Sequence, residues 1–199
     1  RFVERVFEVY EPGEINDGDM FVSNHPYEAG MPHVSDMGFI APVFFEGELL
    51  AWSGTIAHKA DIGGTNPGST SANSTELYHE GLLLPPMKYV RQGVEDGDVE
   101  RIILGNSRHP DLVRGDIEAQ VAATQMGVAR MKENAERFGG QIILDVFEVI
   151  LTGAAEELRA ALSSLPNGTS SAVGYMDDDG VDRETPVKFA VTITVDGDR

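Results

Sequence analysis

The sequence predicts an α+β fold: a β-rich first third, a helical middle and a return to β. Three observations predict it. Two strand-like runs, Met37 to Phe45 and Leu49 to Ala57, flank a short turn at Glu46-Gly47-Glu48. Residues 115–168 place apolar side chains at helical spacing in two successive stretches. From Val187 to Val195 the chain alternates as a half-buried strand does. The blocks do not repeat as βαβ units, so a doubly wound sheet is not expected.

In chain order, residues 1–10 place Phe2, Val6, Phe7 and Tyr10 so loosely that a short helix and a strand both fit. Pro12-Gly13 ends that segment. Asp17-Gly18-Asp19 reads as a turn and Met20-Phe21-Val22 as a short strand, followed by a Gly/Pro-containing loop from Asn24 to Pro32. The runs either side of residues 46–48 then form a hairpin. With a turn of about three residues, Asp36 falls opposite His58. A two-residue turn shifts the register by one and sends the two side chains to opposite faces. Pro42 cannot donate to a ladder and marks an edge or a bulge, and a bulge would absorb one residue.

Ile62 to Asn73 is a Gly/Ser/Thr/Asn loop that reads equally as a binding loop or as surface connection. Pro85-Pro86 keeps Leu82 to Val90 extended. A short helix is expected from Asp98 to Leu104. A long one follows with Asp116 as N-cap, carrying Ile117, Val121, Val128, Met131, Ala135 and Phe138 on one face and closed by Gly139-Gly140. Ile142 to Leu162 forms another helix, ended by Pro166-Asn167-Gly168. Gly174 to Gly180 turns the chain into the last strand, which meets Asp196-Gly197 with no return strand. That strand, and a start without Met inside a periodic pattern, lead us to expect a fragment of a longer chain. Its expected parts are a β-rich region at 1–114, a helical region at 115–168 and the start of a further β segment at 169–199.

Composition narrows the function. Asp and Glu number 33 against 15 Lys and Arg, a formal charge of -18 that repels phosphate backbones and argues against nucleic acid. No apolar run approaches the ~20 residues of a membrane span, and no signal peptide opens the chain. Cys is absent, which excludes disulfide and thiolate chemistry and fits a cytoplasmic protein. There is no Walker loop, dinucleotide fingerprint or Gly-x-Ser-x-Gly, so any ATP would bind elsewhere.

The residues that carry chemistry lie in Met31-Pro32-His33-Val34-Ser35-Asp36 and Thr55-Ile56-Ala57-His58-Lys59-Ala60-Asp61-Ile62-Gly63-Gly64. Two imidazoles and a carboxylate can hold a divalent metal and leave positions open for water or substrate. His58-x-x-Asp61 repeats the spacing of His33-x-x-Asp36, so Asp61 is a fourth ligand or an orienting group. Ordinary hydrogen-bonded histidines satisfy the same spacing. For His25, His79 and His109 a structural or surface role is expected, as is packing for Met126, Met131 and Trp52.

Further motifs run colinearly through about two thirds of the chain. They are Asn24-x-Pro26-Tyr27, Gly30-x-Pro32-His33-x-Ser35-Asp36, Ala41-Pro42-Val43-Phe44 and Ala57-His58-x-x-Asp61-Ile62-Gly63-Gly64. Then come Pro67-Gly68, Thr75-Glu76-x-Tyr78-x-Glu80-Gly81-Leu82, Pro85-Pro86-x-Lys88, Asn106-x-Arg108 and Gly115-Asp116-x-x-Ala119-Gln120. Together they resemble the hydantoinase B/oxoprolinase family. That family includes the B-type subunits of ATP-dependent N-methylhydantoinases, a domain of 5-oxoprolinase, and subunits of acetone and acetophenone carboxylases. The resemblance implies a catalytic B-type subunit in a hetero-oligomer with a hydantoinase A-type ATPase subunit, which binds ATP with Mg. It implies a divalent metal (Mn, Zn or Fe) on His33, Asp36 and His58, with Asp61 and Glu80 as catalytic candidates and Asn24 and His25 near the small-molecule substrate. The implied reaction is hydrolysis of a cyclic amide. A carboxylase subunit is the alternative, and a non-catalytic assembly subunit a third. The chain departs from the family at His25, where an acidic residue is usual, and the loop from Asn24 to His33 is about one residue longer.

Overall fold

The computed structural model describes residues 1–69 and 71–198. They group into two compact units, 1–140 and 141–199. In the first, an antiparallel sheet of five strands runs in the order β3-β2-β1-β4-β5. The strands are β1 (Met20–Ser23), β2 (Asp36–Phe45), β3 (Glu48–His58), β4 (Met87–Arg91) and β5 (Val94–Glu95). The helices of this unit are α1 (Phe2–Val9), α2 (Pro26–Ala29), α3 (Gly97–Gly105) and α4 (Pro110–Phe138).

Both faces of the sheet are covered, which is why β1 and β2 read as continuous apolar runs. On one face Met20, Val22, Met37, Phe39 and Ala41 pack with Val99 and Ile103 of α3 and with Val113, Ile117 and Val121 of α4. On the other, Phe21 and Ile40 pack with Phe2 and Val6 of α1, Ala29 and Met31. Neighbours along a strand alternate between the two cores, as the pleat requires. Residues 1–10 resolve as a helix because Phe2 and Val6, four apart, are both buried on one side.

The β2–β3 hairpin solves its register problem in two steps. Phe45 pairs with Glu48, so the turn is the two residues Glu46 and Gly47, both at positive φ (52° and 85°). That is the type I′ geometry whose twist suits a hairpin, and Gly47 meets it without strain. Phe44 then pairs with Leu49 but Val43 with Ala51, leaving Leu50 as an extra residue. This bulge restores the register that a two-residue turn alone would lose, and Asp36 pairs with His58. Pro42 sits one residue from the bulge on an inner strand. It is tolerated there because the β1 pairing with β2 ends at Ile40.

Helix α4 begins at Pro110, six residues before the expected cap at Asp116. Proline at the first helical position lacks only a donor that would be unpaired anyway, and Asp116 lies in the second turn. The helix packs across β2 and β3. Gly127 permits close approach: a Cβ there would run into Ser53 Oγ.

The second unit holds α5 (Gly140–Ser163) and the antiparallel pair β6 (Gly168–Met176) and β7 (Val187–Val195). The final strand, expected to lack a partner, pairs along its whole length with β6, from Gly168↔Val195 to Met176↔Val187. One face of this ribbon carries Val187, Phe189, Val191 and Ile193 beside Ala172 and Gly174, while the other carries hydrogen-bonded Thr169–Thr194 and Ser171–Thr192 pairs. The division into units cuts across the helical block 115–168, because α4 groups with the sheet and α5 with the ribbon. No single helix among the described residues is long and apolar enough to cross a membrane.

Candidate metal centre

The register of the hairpin places Asp36 and His58 side by side on one face at the end of β2 and β3. A tight turn supplies the third group: Asp36 N–H donates to the His33 carbonyl at 3.0 Å, folding His33 back over Asp36. His33 Nε2 lies 2.9 Å from Asp36 Oδ1, His58 Nδ1 lies 3.3 Å from the same oxygen, and the two nitrogens are 3.2 Å apart. The imidazole rings stack obliquely, with centroids 4.9 Å apart and planes at 33°. Among the described residues, these three form the one group of at least three His, Asp or Glu side chains compact enough to hold an ion.

The triangle can be tested against a metal. Ligand atoms bound to one ion at about 2.1 Å and at angles of 90–109° stand roughly 3.0–3.4 Å apart. The observed edges of 2.9, 3.2 and 3.3 Å match that spacing. Three lone-pair atoms this close repel one another unless a cation or a shared proton lies between them. Side-chain exposures of 35% for His33, 17% for Asp36 and 48% for His58 leave the outer side of the group open to a ligand. The donor set therefore fits a divalent ion with positions to spare.

Asp61 is placed differently. It is fully buried, and its two oxygens accept from Gly63 N–H at 3.2 Å and from the Arg108 backbone N–H. Arg108 also donates from its guanidinium to the Gly64 carbonyl. Asp61 thus clamps the loop after β3 to the segment before α4 and is not among the close donors. Glu80 ends a single 3-10 turn, Leu77–Glu80, whose backbone lies against the same loop: a Cβ on Gly64 would stand 2.6 Å from the Glu80 carbonyl carbon. Further along, Gly68 reaches the site itself, since a Cβ there would be 3.7 Å from His58 Nε2.

Asn24 is fully buried between two segments. Its amide nitrogen donates to Val34 O at 2.8 Å and Leu82 O at 2.7 Å, and its oxygen accepts from Leu84 N–H at 2.7 Å. Both amide hydrogens are used on protein, so Asn24 shapes the wall behind His33. His25 caps α2, its Nδ1 accepting from Glu28 N–H at 3.2 Å. An aspartate does the same work at an N-cap, so imidazole can stand where the resemblance noted in the sequence implies a carboxylate. His79 staples its loop, accepting from Thr75 N–H at 3.3 Å and lying 3.1 Å from Glu76 Oε1. Two residues to which the sequence alone assigns no role are Lys59 and Gln120, both buried and hydrogen-bonded to each other next to the site. Burial pushes the Lys59 ammonium down to about 8 against the opposing pull of Asp116 and Asp36. A Lys directly after a candidate ligand, at a strand end, was the available signal.

The sequence matches the family profile of hydantoinase B/oxoprolinase over residues 1–199. The chain belongs to the hydantoinase B/oxoprolinase family. A protein of Pseudomonas sp. (strain NS671), provisionally named as the B-type subunit of a D-/L-hydantoinase, is 37% identical over 92% of this chain and 31% of its own. The acetophenone carboxylase delta subunit of Aromatoleum aromaticum is 26% identical over 99% of this chain and 29% of its own. The crystal structure of the ATP-dependent caprolactamase from Pseudomonas jessenii shares the fold with a TM-score of 0.88 and 28% identity, over 98% of this chain and 33% of that one. This family member therefore spans about a third of the length of these relatives.

Proposed function

We propose that this chain is the metal-holding part of a catalytic B-type subunit that opens a cyclic amide, a hydantoin or a lactam. A partner A-type subunit first activates the substrate with ATP and Mg. One observation carries the reading: His33 Nε2, Asp36 Oδ1 and His58 Nδ1 converge within 3.3 Å, in a chain similar to a hydantoinase subunit and a caprolactamase. The same reading puts the subunit in the cytoplasm, inside a hetero-oligomer.

A divalent ion on these three groups (Mn, Zn or Fe) would supply Lewis acidity toward a carbonyl or phosphoryl oxygen and lower the pKa of a water. The protein's part follows from its own atoms. To offer lone pairs, both imidazoles must be neutral, with the proton on Nδ1 of His33 and on Nε2 of His58. Asp36 supplies the negative charge. Asp61 and Arg108 hold the loop whose Gly68 lines the outer edge of His58. Glu80, behind that loop, is the group we assign to substrate contact or proton transfer at its carboxylate. Asn24 and His25 set the wall that faces the substrate.

The test is metal analysis of the full-length protein, wild type against His58→Ala, beside ATP-dependent ring opening by the reconstituted complex. Bound metal and activity should both fall in the variant. Equal metal content in the two proteins would sink the reading. A second reading, a subunit of a ketone carboxylase, rests on the likeness to the acetophenone carboxylase delta subunit along 99% of this chain. Incorporation of labelled bicarbonate into a ketone would favour it. Activity that survived loss of all three donors would favour an assembly role instead.

A further inference from the structure

Helix α4 turns a stripe of residues toward the sheet, and two members of that stripe are polar. Val113, Ile117, Val121 and Thr124 are buried on it, and so is Gln120, at 6% exposure. A buried amide must be satisfied or it destabilises the fold. Gln120 is satisfied by both strands of the hairpin. Its Nε2 donates to Met37 O of β2 at 3.0 Å and to Thr55 Oγ1 of β3 at 3.3 Å. Its Oε1 accepts from Lys59 Nζ. Lys59, fully buried, in turn donates from its backbone N–H to Ser35 O at 2.8 Å and from Nζ to Ala57 O at 3.5 Å.

These contacts fall at one place. Met37 and Ala57 are register partners, and theirs is the rung next to Asp36 and His58. Successive side chains on a strand point to opposite faces. The donors therefore leave the sheet on one face, while Gln120 and Lys59 brace the adjoining rung from the other.

We propose that Gln120 is a positioning residue for the His33–Asp36–His58 triangle, acting through Lys59 and the Met37–Ala57 rung. This rests on reading the triangle as a metal site. Gln120 holds the two strand ends at one separation and seats Lys59, whose backbone fixes Ser35 beside Asp36. Loss of the amide frees the strand ends to splay, and a triangle with edges near 3 Å tolerates little splay. Groups that orient ligands from outside the coordination sphere are worth about 10–100-fold in metal affinity.

The experiment uses the full-length protein and three variants: Gln120→Met, Gln120→Glu and Ser53→Ala. Ser53 is the control, because its hydroxyl donates to Thr124 O at 2.9 Å on the same helix–sheet seam, opposite Ala41 and away from the donors. Two quantities are read: Co2+ affinity by calorimetry, and the imidazole 15N resonances of His33 and His58 in metal-free protein. Gln120→Met should weaken Co2+ binding about 10–100-fold and move both imidazole signals. Gln120→Glu keeps an acceptor for Lys59 but loses the donor to Met37, so it should fall between Met and wild type. It also serves as the test variant if Gln120→Met does not fold. Ser53→Ala should change neither quantity. A folded Gln120 variant with wild-type affinity and unmoved imidazole signals would overturn the proposal. Absence of Co2+ binding in wild type would overturn the metal reading instead, and the imidazole signals alone would then decide the role of Gln120.

Discussion

Asp36 and His58 are partners across the β2–β3 ladder because Leu50 bulges out of β3 and takes no place in the pairing. Without that bulge the two-residue turn at Glu46-Gly47 would leave them on opposite faces. A turn and a bulge, each off by one residue, cancel.

Deleting Leu50 should remove the bulge yet keep Asp36 opposite His58, because the Phe44–Leu49 and Val43–Ala51 pairs then become successive rungs, and any metal content should persist. Deleting Ser53 as well leaves no extra residue to absorb the loss, moves His58 opposite Met37 on the other face and should abolish metal binding. Metal content of the two variants, with circular dichroism to confirm folding, checks this. Full binding in the folded double deletion would show that register does not assemble the site.

Asp61 predicts a local loss. Asp61→Asn keeps the shape but puts an amide N–H against a backbone N–H, of Gly63 or of Arg108. One unsatisfied buried donor costs about 1–3 kcal/mol. Denaturant unfolding should show that loss, and limited proteolysis should cut first within residues 61–69. A variant as stable and as resistant as wild type would contradict the clamp.

The hairpin was legible in the sequence because its two runs are long, apolar and joined by a Glu-Gly turn. Even the bulge was signalled, by Pro42, though only the alternative registers could be stated. The strand β6 was not legible. Its Thr169-Ser170-Ser171-Ala172 stretch is small and polar, and what makes it a strand is pairing with β7, not propensity. The start of α4 was misplaced because Asp116 is a good cap in isolation, while Pro110 acts through φ and a missing donor. In the site, His33, Asp36 and His58 could be named from residue type and spacing. Gln120 could not be given a role, since its partner Lys59 is 61 positions away and helix and strand meet only in the fold.

His25 should tolerate one substitution and not another. His25→Asp offers an oxygen to Glu28 N–H and should hold stability within a few tenths of a kcal/mol. His25→Ala leaves that donor unpaired and should cost about 1 kcal/mol. Unfolding curves of the two variants separate the outcomes, and an equal cost would mean that the cap contributes nothing.

Tyr89 predicts the alkaline limit. It is 3% exposed against Phe39, and burial pushes its hydroxyl up to about 12 from an ordinary value near 10. Above pH 10 the unfolded chain loses the Tyr89 proton while the folded chain keeps it. Stability is then full below pH 10 and falls between pH 10 and 12 by about 1.4 kcal/mol per pH unit. Tyr89→Phe should flatten that limb of the stability profile. An unchanged slope would assign the alkaline loss to other groups.

All three donors come from residues 33–58, a single hairpin with its leading turn. Assembly of the triangle needs no distant segment to supply a donor, only two strands aligned to the residue. A slip of one position leaves a sheet that still looks like a sheet but no longer brings the three donors together. The site is therefore a gauge of strand alignment, and a pairing error would be felt as lost chemistry before it was visible as lost structure.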